Sequence, residues 1–225
     1  QSAISHASAA QQQKFSHQIS FIGSLYSEKN PYTHLKHTSE YMRGYLDSIM
    51  AIQQKIYGAY LIDDMITSDI LDYFDKNISG GYVFPEKSNA DYKALVSQYY
   101  IGTNITVLER KHFLKELSKR YDVDIYTYSD TSELPDVHVH HGANAITEAP
   151  IIFNKSQINL NLTSRPIRNG VPLRVWDILG CAGFLLTNYQ NDLVMHLAPG
   201  EHLDVYSSEA EFFDKVSYYL SRPSL

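Results

Sequence analysis

QINLNLTSRPIRNGVPLRVWDILGCAGFLLTNY, residues 157–189, holds two strand-like runs separated by a basic loop and a short apolar helix. QINLNLT (157–163) and GFLLTNY (183–189) each have the length of a strand, and LRVWDILG (173–180) is long enough for two helical turns. Strand, helix and strand in that order make a crossover unit, which places the two strands parallel. The same rhythm extends outward. Upstream lie a helix, NITVLERKHFLKELSKRY (104–121), the strand VDIYTYS (123–129), a polar connection and a short helix near 147–155. Downstream come a short helix, the strand HLDVYS (202–207) and a terminal helix, SEAEFFDKVSYYLSR (208–222). With a first strand in QISFIGSLY (18–26), the pattern predicts an α/β, Rossmann-like parallel sheet with helices on both faces.

Between the first strand and residue 104 the pattern is helical. SEYMRGYLDSIMAIQQKIYG (39–58), with Ser39 as N-cap, is followed by helices at about 61–76 and 89–100 around a Gly- and Pro-punctuated loop, NISGGYVFPEKS (77–88). We read 39–100 as a helical insertion after the first strand. Residues 1–17, low in complexity and without apolar periodicity, read as a tail or interdomain linker, leaving 18–225 as one domain.

Composition narrows the function. A net charge of −6 and a pI of about 5.9 speak against a protein that tracks nucleic-acid phosphates, so any anion site is local. The single cysteine, Cys181, excludes a disulfide framework and suits a reducing cytoplasm; it reads as a core residue. No stretch reaches the length of a membrane span.

In an open α/β sheet, ligands bind beyond the carboxyl ends of the strands. Two loops there carry anion-binding chemistry. GSLYSEKNP (23–31) offers Gly23 for close backbone approach and Ser24, Ser27 and Lys29 as donors. The loop before the 173–180 helix carries Arg165 and Arg168, both expected to be exposed. Free N–H groups at that helix start favour a phosphate. Within the helix Arg174 and Asp177 share a face, and Leu173, Trp176 and Gly180 are expected to turn toward the sheet. Asp177 suits a ribose diol, or simply a pair with Arg174. In VHVHH (137–141), a strand would put His138 and His140 on one face, as two metal ligands would be. No acidic or cysteine partner lies at ligand spacing, so no metal is assigned. His140, His141 and Gly142 read instead as a loop, which the family resemblance given below places beside the bound donor.

ISFIGSLYSEKN together with INLNLTSRPIRNGVPLRVWDILGCAGFLLTNYQNDL resembles the CgeB-like, spore-maturation-type bacterial glycosyltransferases, over about Ile19 to Leu220. The resemblance implies the C-terminal, donor-binding half of a GT-B fold. That half would bind a nucleotide-diphosphate sugar, expected to be a UDP-sugar, without a required cofactor or metal, and a separate N-terminal domain would bring an unknown acceptor. Related enzymes carry G-R-L-x-x-E-K-G after the first strand, which puts Lys29 in the lysine position. Ser24 stands in place of the arginine, and Arg168 or Arg174 is expected to compensate. Asp177 matches the second of two spaced glutamates and Asn169 the first. The loop residues Arg165, Asn169, Gly170, Pro172 and Leu173 would complete the donor site. The alternative from another class is a non-enzymatic nucleotide-binding or protein-interaction module on a similar sheet.

Overall fold

The computed structural model describes residues 2–35, 39–78 and 91–222. Its centre is one sheet of six parallel strands: β1 (Ile19–Ile22), β2 (Val123–Thr127), β3 (His138–His141), β4 (Ile158–Asn161), β5 (Leu185–Asn188) and β6 (Asp204–Tyr206). Their order across the sheet is β3-β2-β1-β4-β5-β6. That order reverses between β1 and β4, the switch point at which such sheets open a ligand crevice. The five expected strands all lie in this sheet. The sixth, β3, corrects the reading of His140 and His141 as loop. It is an edge strand whose residues are mostly exposed, so it lacks the apolar alternation that marks a strand in sequence.

Helices cover both faces. On one, α7 (Thr103–Ser118) and α11 (Glu209–Leu220) bury Phe113, Leu114, Leu117, Phe212 and Val216 against Ile19, Ile125, Leu160 and Leu186. Ser208 caps α11 by accepting the Glu211 N–H, and Phe212 and Val216 follow one turn apart on the buried face. On the other face, α8 (Ala149–Lys155), α9 (Leu173–Gly180) and α10 (Asn191–His196) set Phe153, Val175, Ile178 and Leu193 against Leu185, Leu203 and Val205.

The register of α9 differs from expectation. Val175 and Ile178, both fully buried, face the sheet, while Leu173 is 81% and Trp176 48% exposed. Added bulk at Gly180 would meet only open space, so that side of the helix faces outward. Val175 and Ile178, three residues apart, share the face that packs with Phe153, Leu185 and Leu193.

The described residues of the insertion form helices joined by short irregular segments. Ser39 caps α3 (Glu40–Gln54), and α4 (Ile62–Met65), α5 (Ser68–Asn77), a short α6 (Tyr92–Ala94) and a π-helical stretch (Leu95–Gly102) follow. Most of the 77–88 loop lies outside the described residues. These elements share a second core of Leu46, Ile49, Ile62, Ile70, Phe74, Val96 and Ile101. Ile105 joins that core from the first turn of α7, whereas Phe113 to Leu117 of the same helix lie in the sheet core. One long helix thereby ties the insertion to the sheet. Residues 2–14 form α1 (Ser2–Ser5) and α2 (Ala9–Lys14), and the buried Phe15 packs with Tyr126, Ile151 and Ile152.

Candidate functional site

The crevice at the switch point is built from the two loops singled out in the sequence, and a third residue joins them. Arg110 of α7 donates from Nη1 to the Ser24 carbonyl after β1, and from Nε and Nη2 to the Leu162 carbonyl after β4. Its guanidinium lies over the Tyr26 ring at 4.8 Å. Burial pushes its pKa down to about 10, so it stays charged at neutral pH. A buried cation therefore sits where the loop sequence carries Ser24 and no arginine. Nothing in LERKHF, a stretch of charged helix, marks Arg110 in advance.

The loop after β1 is less free than its composition suggests. The Ser24 hydroxyl donates to Glu28 at 2.7 Å and accepts the Tyr26 N–H. Burial would raise the Glu28 pKa, but its backbone N–H and the hydroxyls of Ser24 and Ser129 bring it below its ordinary value. Lys29 is exposed beside that carboxylate. Gly23 lies against the Phe21 ring, 3.3 Å from an added Cβ.

Arg165, expected to be exposed, is instead buried at 8% exposure. It donates to Glu109 from Nε at 2.7 Å and from Nη2 at 2.6 Å, and to the carbonyls of Ile56 and Gln54 at 3.0 Å each. Its plane stacks over Tyr57 at 3.9 Å. Burial alone would lower its pKa, but the Glu109 carboxylate more than offsets this and holds it above the ordinary value. This arginine clamps the insertion to α7 and has little left for a ligand.

Arg168, half-exposed, pairs with Asp63 of α4 at 2.6 Å and lies over the Tyr60 ring at 4.8 Å. Tyr60 in turn donates to the Ser97 carbonyl at 2.6 Å, and Ser97 donates to Asp63. The insertion thus holds the arginine loop in place. Pro166 and Tyr60 approach Gly102 so closely that an added Cβ would stand 2.5 Å from Pro166 Cγ and 2.6 Å from Tyr60 Oη. Gly102→Ala is therefore expected to destabilise the fold by about 1–3 kcal/mol, the usual cost of overpacking, and urea unfolding measures it.

A polar cavity of about 170 Å³ opens at the carboxyl ends of β4 and β5. Thr163, Asn188, Gln190 and Tyr60 line it, together with Arg168 and Asn169. These side chains are held by a buried network: Asn161 donates to Thr163 and Thr187 at 2.9 Å each, and the Thr163 N–H donates to Asn188 at 2.8 Å. The sequence signal for them is the recurrence of Asn and Thr inside apolar strands, where a packing role alone would call for Val or Ile. Beside the cavity, Gly170 takes φ +84° and donates its N–H to Asp192. Pro172 stands at the N-cap of α9 without a side-chain cap, so the first-turn N–H groups of Leu173 and Arg174 have no cap to bond. Arg174 pairs with Asp177 at 3.1 Å and lies over Phe153 at 5.3 Å.

His141 and Gly142 are not brought to this crevice. They end β3, three strands from β4 and so roughly 14 Å away at the usual spacing. They line a separate surface cavity with Lys14, Phe15 and Glu148. Cys181 ends α9, and burial raises its thiol pKa above the ordinary value. Its alkylation by iodoacetamide at pH 7.5 is expected to run slower than that of a free thiol, and to match it only in urea.

Residues 110–225, just over half of the chain, match the family model described as glycosyl transferase-like. The chain belongs to that family. The matched segment carries β2 to β6, the arginine loop, α9 and the polar cavity's sheet side. The first strand and the helical insertion lie outside it. Neither a curated protein nor a solved structure matches the chain. No helix among the described residues is long and apolar enough to cross a membrane.

Proposed function

We propose that this glycosyltransferase-like chain is the donor-binding part of a CgeB-like bacterial GT-B enzyme that uses a UDP-sugar and works in the cytoplasm. The observation that carries the reading is the uncapped start of α9, set beside a polar cavity at the carboxyl ends of β4 and β5. A diphosphate at Leu173 and Arg174 would receive N–H groups, the positive end of the helix dipole and the Arg174 guanidinium. The cavity is smaller than the roughly 300–1,000 Å³ of a complete ligand pocket, so it takes one ring of the donor while the rest lies in the open crevice.

Negative charge grows on the β-phosphate as the glycosidic bond breaks. Fixed donors and cations at the helix start stabilise that charge more than the ground state, which is the source of the rate. Arg168 borders the cavity, and Arg110 adds a buried positive charge at the switch point. The task asks for no metal at this crevice. Lys29, on the loop after β1, is a further diphosphate contact in this reading. A second Rossmann domain of the same protein would bring the acceptor. Calorimetric titration with UDP and with uridine tests the reading: UDP is expected to bind measurably more tightly, and equal or absent binding of both would remove it.

A further inference from the structure

Away from the crevice, three histidines converge on one buried carboxylate. Asp124 is the second residue of β2 and lies opposite His138 in the β2–β3 register, while His140 lies opposite Tyr126. Residues two apart on a strand share a face, so Asp124, Tyr126, His138 and His140 all project to one side of the sheet. His17, just before β1, reaches the same spot. Its Nδ1 lies 3.1 Å from Asp124 Oδ2, His140 Nε2 lies 2.7 Å from Oδ1, and His138 Nδ1 lies 3.8 Å from Oδ2.

We propose that His17, Asp124 and His140 bind a divalent transition-metal ion of the zinc class. Tetrahedral zinc with ligands about 2.0–2.1 Å away places neighbouring ligand atoms roughly 3.3 Å apart, and the 3.1 Å and 2.7 Å contacts of His17 and His140 to Asp124 lie just inside that separation. The ligand atoms of His17, Asp124 and His140 all lie within 4.8 Å of one another. Imidazole nitrogens with one carboxylate select zinc and its neighbours over calcium or magnesium.

The outer groups fit as well. A ligating histidine usually donates its other ring N–H to a fixed partner, and His17 Nε2 stands 2.8 Å from Tyr126 Oη. The Tyr126 ring also stacks on His140 at 4.4 Å between centroids and 15° between planes, which fixes that ring's orientation. His17, Asp124 and Tyr126 are all buried, and His138 and His140 leave the ion a path from solvent. The bound ion would join the segment before β1 to the edge strand β3. Spacing in sequence hides the site, because the acidic partner of VHVHH comes from the neighbouring strand.

The test is zinc binding by the whole chain after chelator treatment, read by competition with a chromophoric chelator and by the visible bands of tetrahedral Co²⁺. The expected result is one equivalent bound. Tyr126→Phe should weaken binding about 10–100-fold, as loss of an outer-shell partner does, and His140→Ala by more. His140 lies on the edge strand and is partly exposed, so its variant keeps the fold, which circular dichroism checks. Wild type that takes up no equivalent of zinc, or that matches His140→Ala in affinity, overturns the proposal and leaves a hydrogen-bonded His–Asp cluster. Neither outcome depends on the UDP reading.

Discussion

Arg165→Ala is expected to lower the unfolding free energy by about 3–5 kcal/mol, the cost of leaving a buried carboxylate without its partner. Glu109 would lose both of its arginine bonds and keep only the Tyr57 hydroxyl, which donates at 2.7 Å. The carbonyls of Gln54 and Ile56 would lose their Arg165 bonds as well, and Tyr57 its stacking cation. Because Arg165 joins the end of α3 to α7, the insertion should loosen before the sheet does. Urea unfolding followed by both tyrosine fluorescence and far-ultraviolet circular dichroism measures the loss. Replacing Glu109 and Arg165 together by apolar residues of similar size should cost less than Arg165→Ala alone, since no charge is left unpaired. A loss below about 1 kcal/mol for the single variant would mean that the pair is solvated, in the range of surface ion pairs.

Arg174→Ala is expected to weaken UDP binding by about 1.5–3 kcal/mol, the range for hydrogen bonds to charged groups, and to leave uridine binding nearly unchanged. Arg174 is only a third exposed but makes one ion pair, with Asp177 in the same helix. Such an intrahelical pair contributes about 0.3–0.5 kcal/mol, so the variant should unfold within that margin of wild type. The two arginines therefore separate by experiment: Arg165 governs stability and Arg174 affinity for the diphosphate. Equal losses for UDP and uridine in Arg174→Ala would show a disturbed fold instead of a lost phosphate contact.

Much of the fold was legible because its signals are local. LRVWDILG forms α9 at residues 173–180, since Pro172 starts the helix and Gly183 follows the turn that ends it. The strands 158–161 and 185–188 are buried throughout, as parallel strands between helix layers must be, although Asn and Thr take half of their positions. β3 escaped because HVHH is an exposed edge whose strand character comes from pairing with β2. The loops of the crevice were found, but the fate of individual charges was not. Arg165 looks like its neighbour Arg168 in sequence, and only Glu109, 56 residues earlier in the chain, decides that it is buried. Arg110 is similar: a helix-borne cation becomes part of the switch point because carbonyls of two distant loops converge on it. Such pairings are set by topology, which no spacing within a loop encodes.

A crystal structure of the protein soaked with UDP tests most directly whether the start of α9 holds the diphosphate of a nucleotide sugar. Phosphate oxygens are expected within hydrogen-bond distance of the Leu173 and Arg174 N–H groups and of the Arg174 guanidinium, with the nucleoside end toward the cavity lined by Thr163, Asn188 and Gln190. UDP bound elsewhere, with the first turn of α9 free of phosphate, would contradict it.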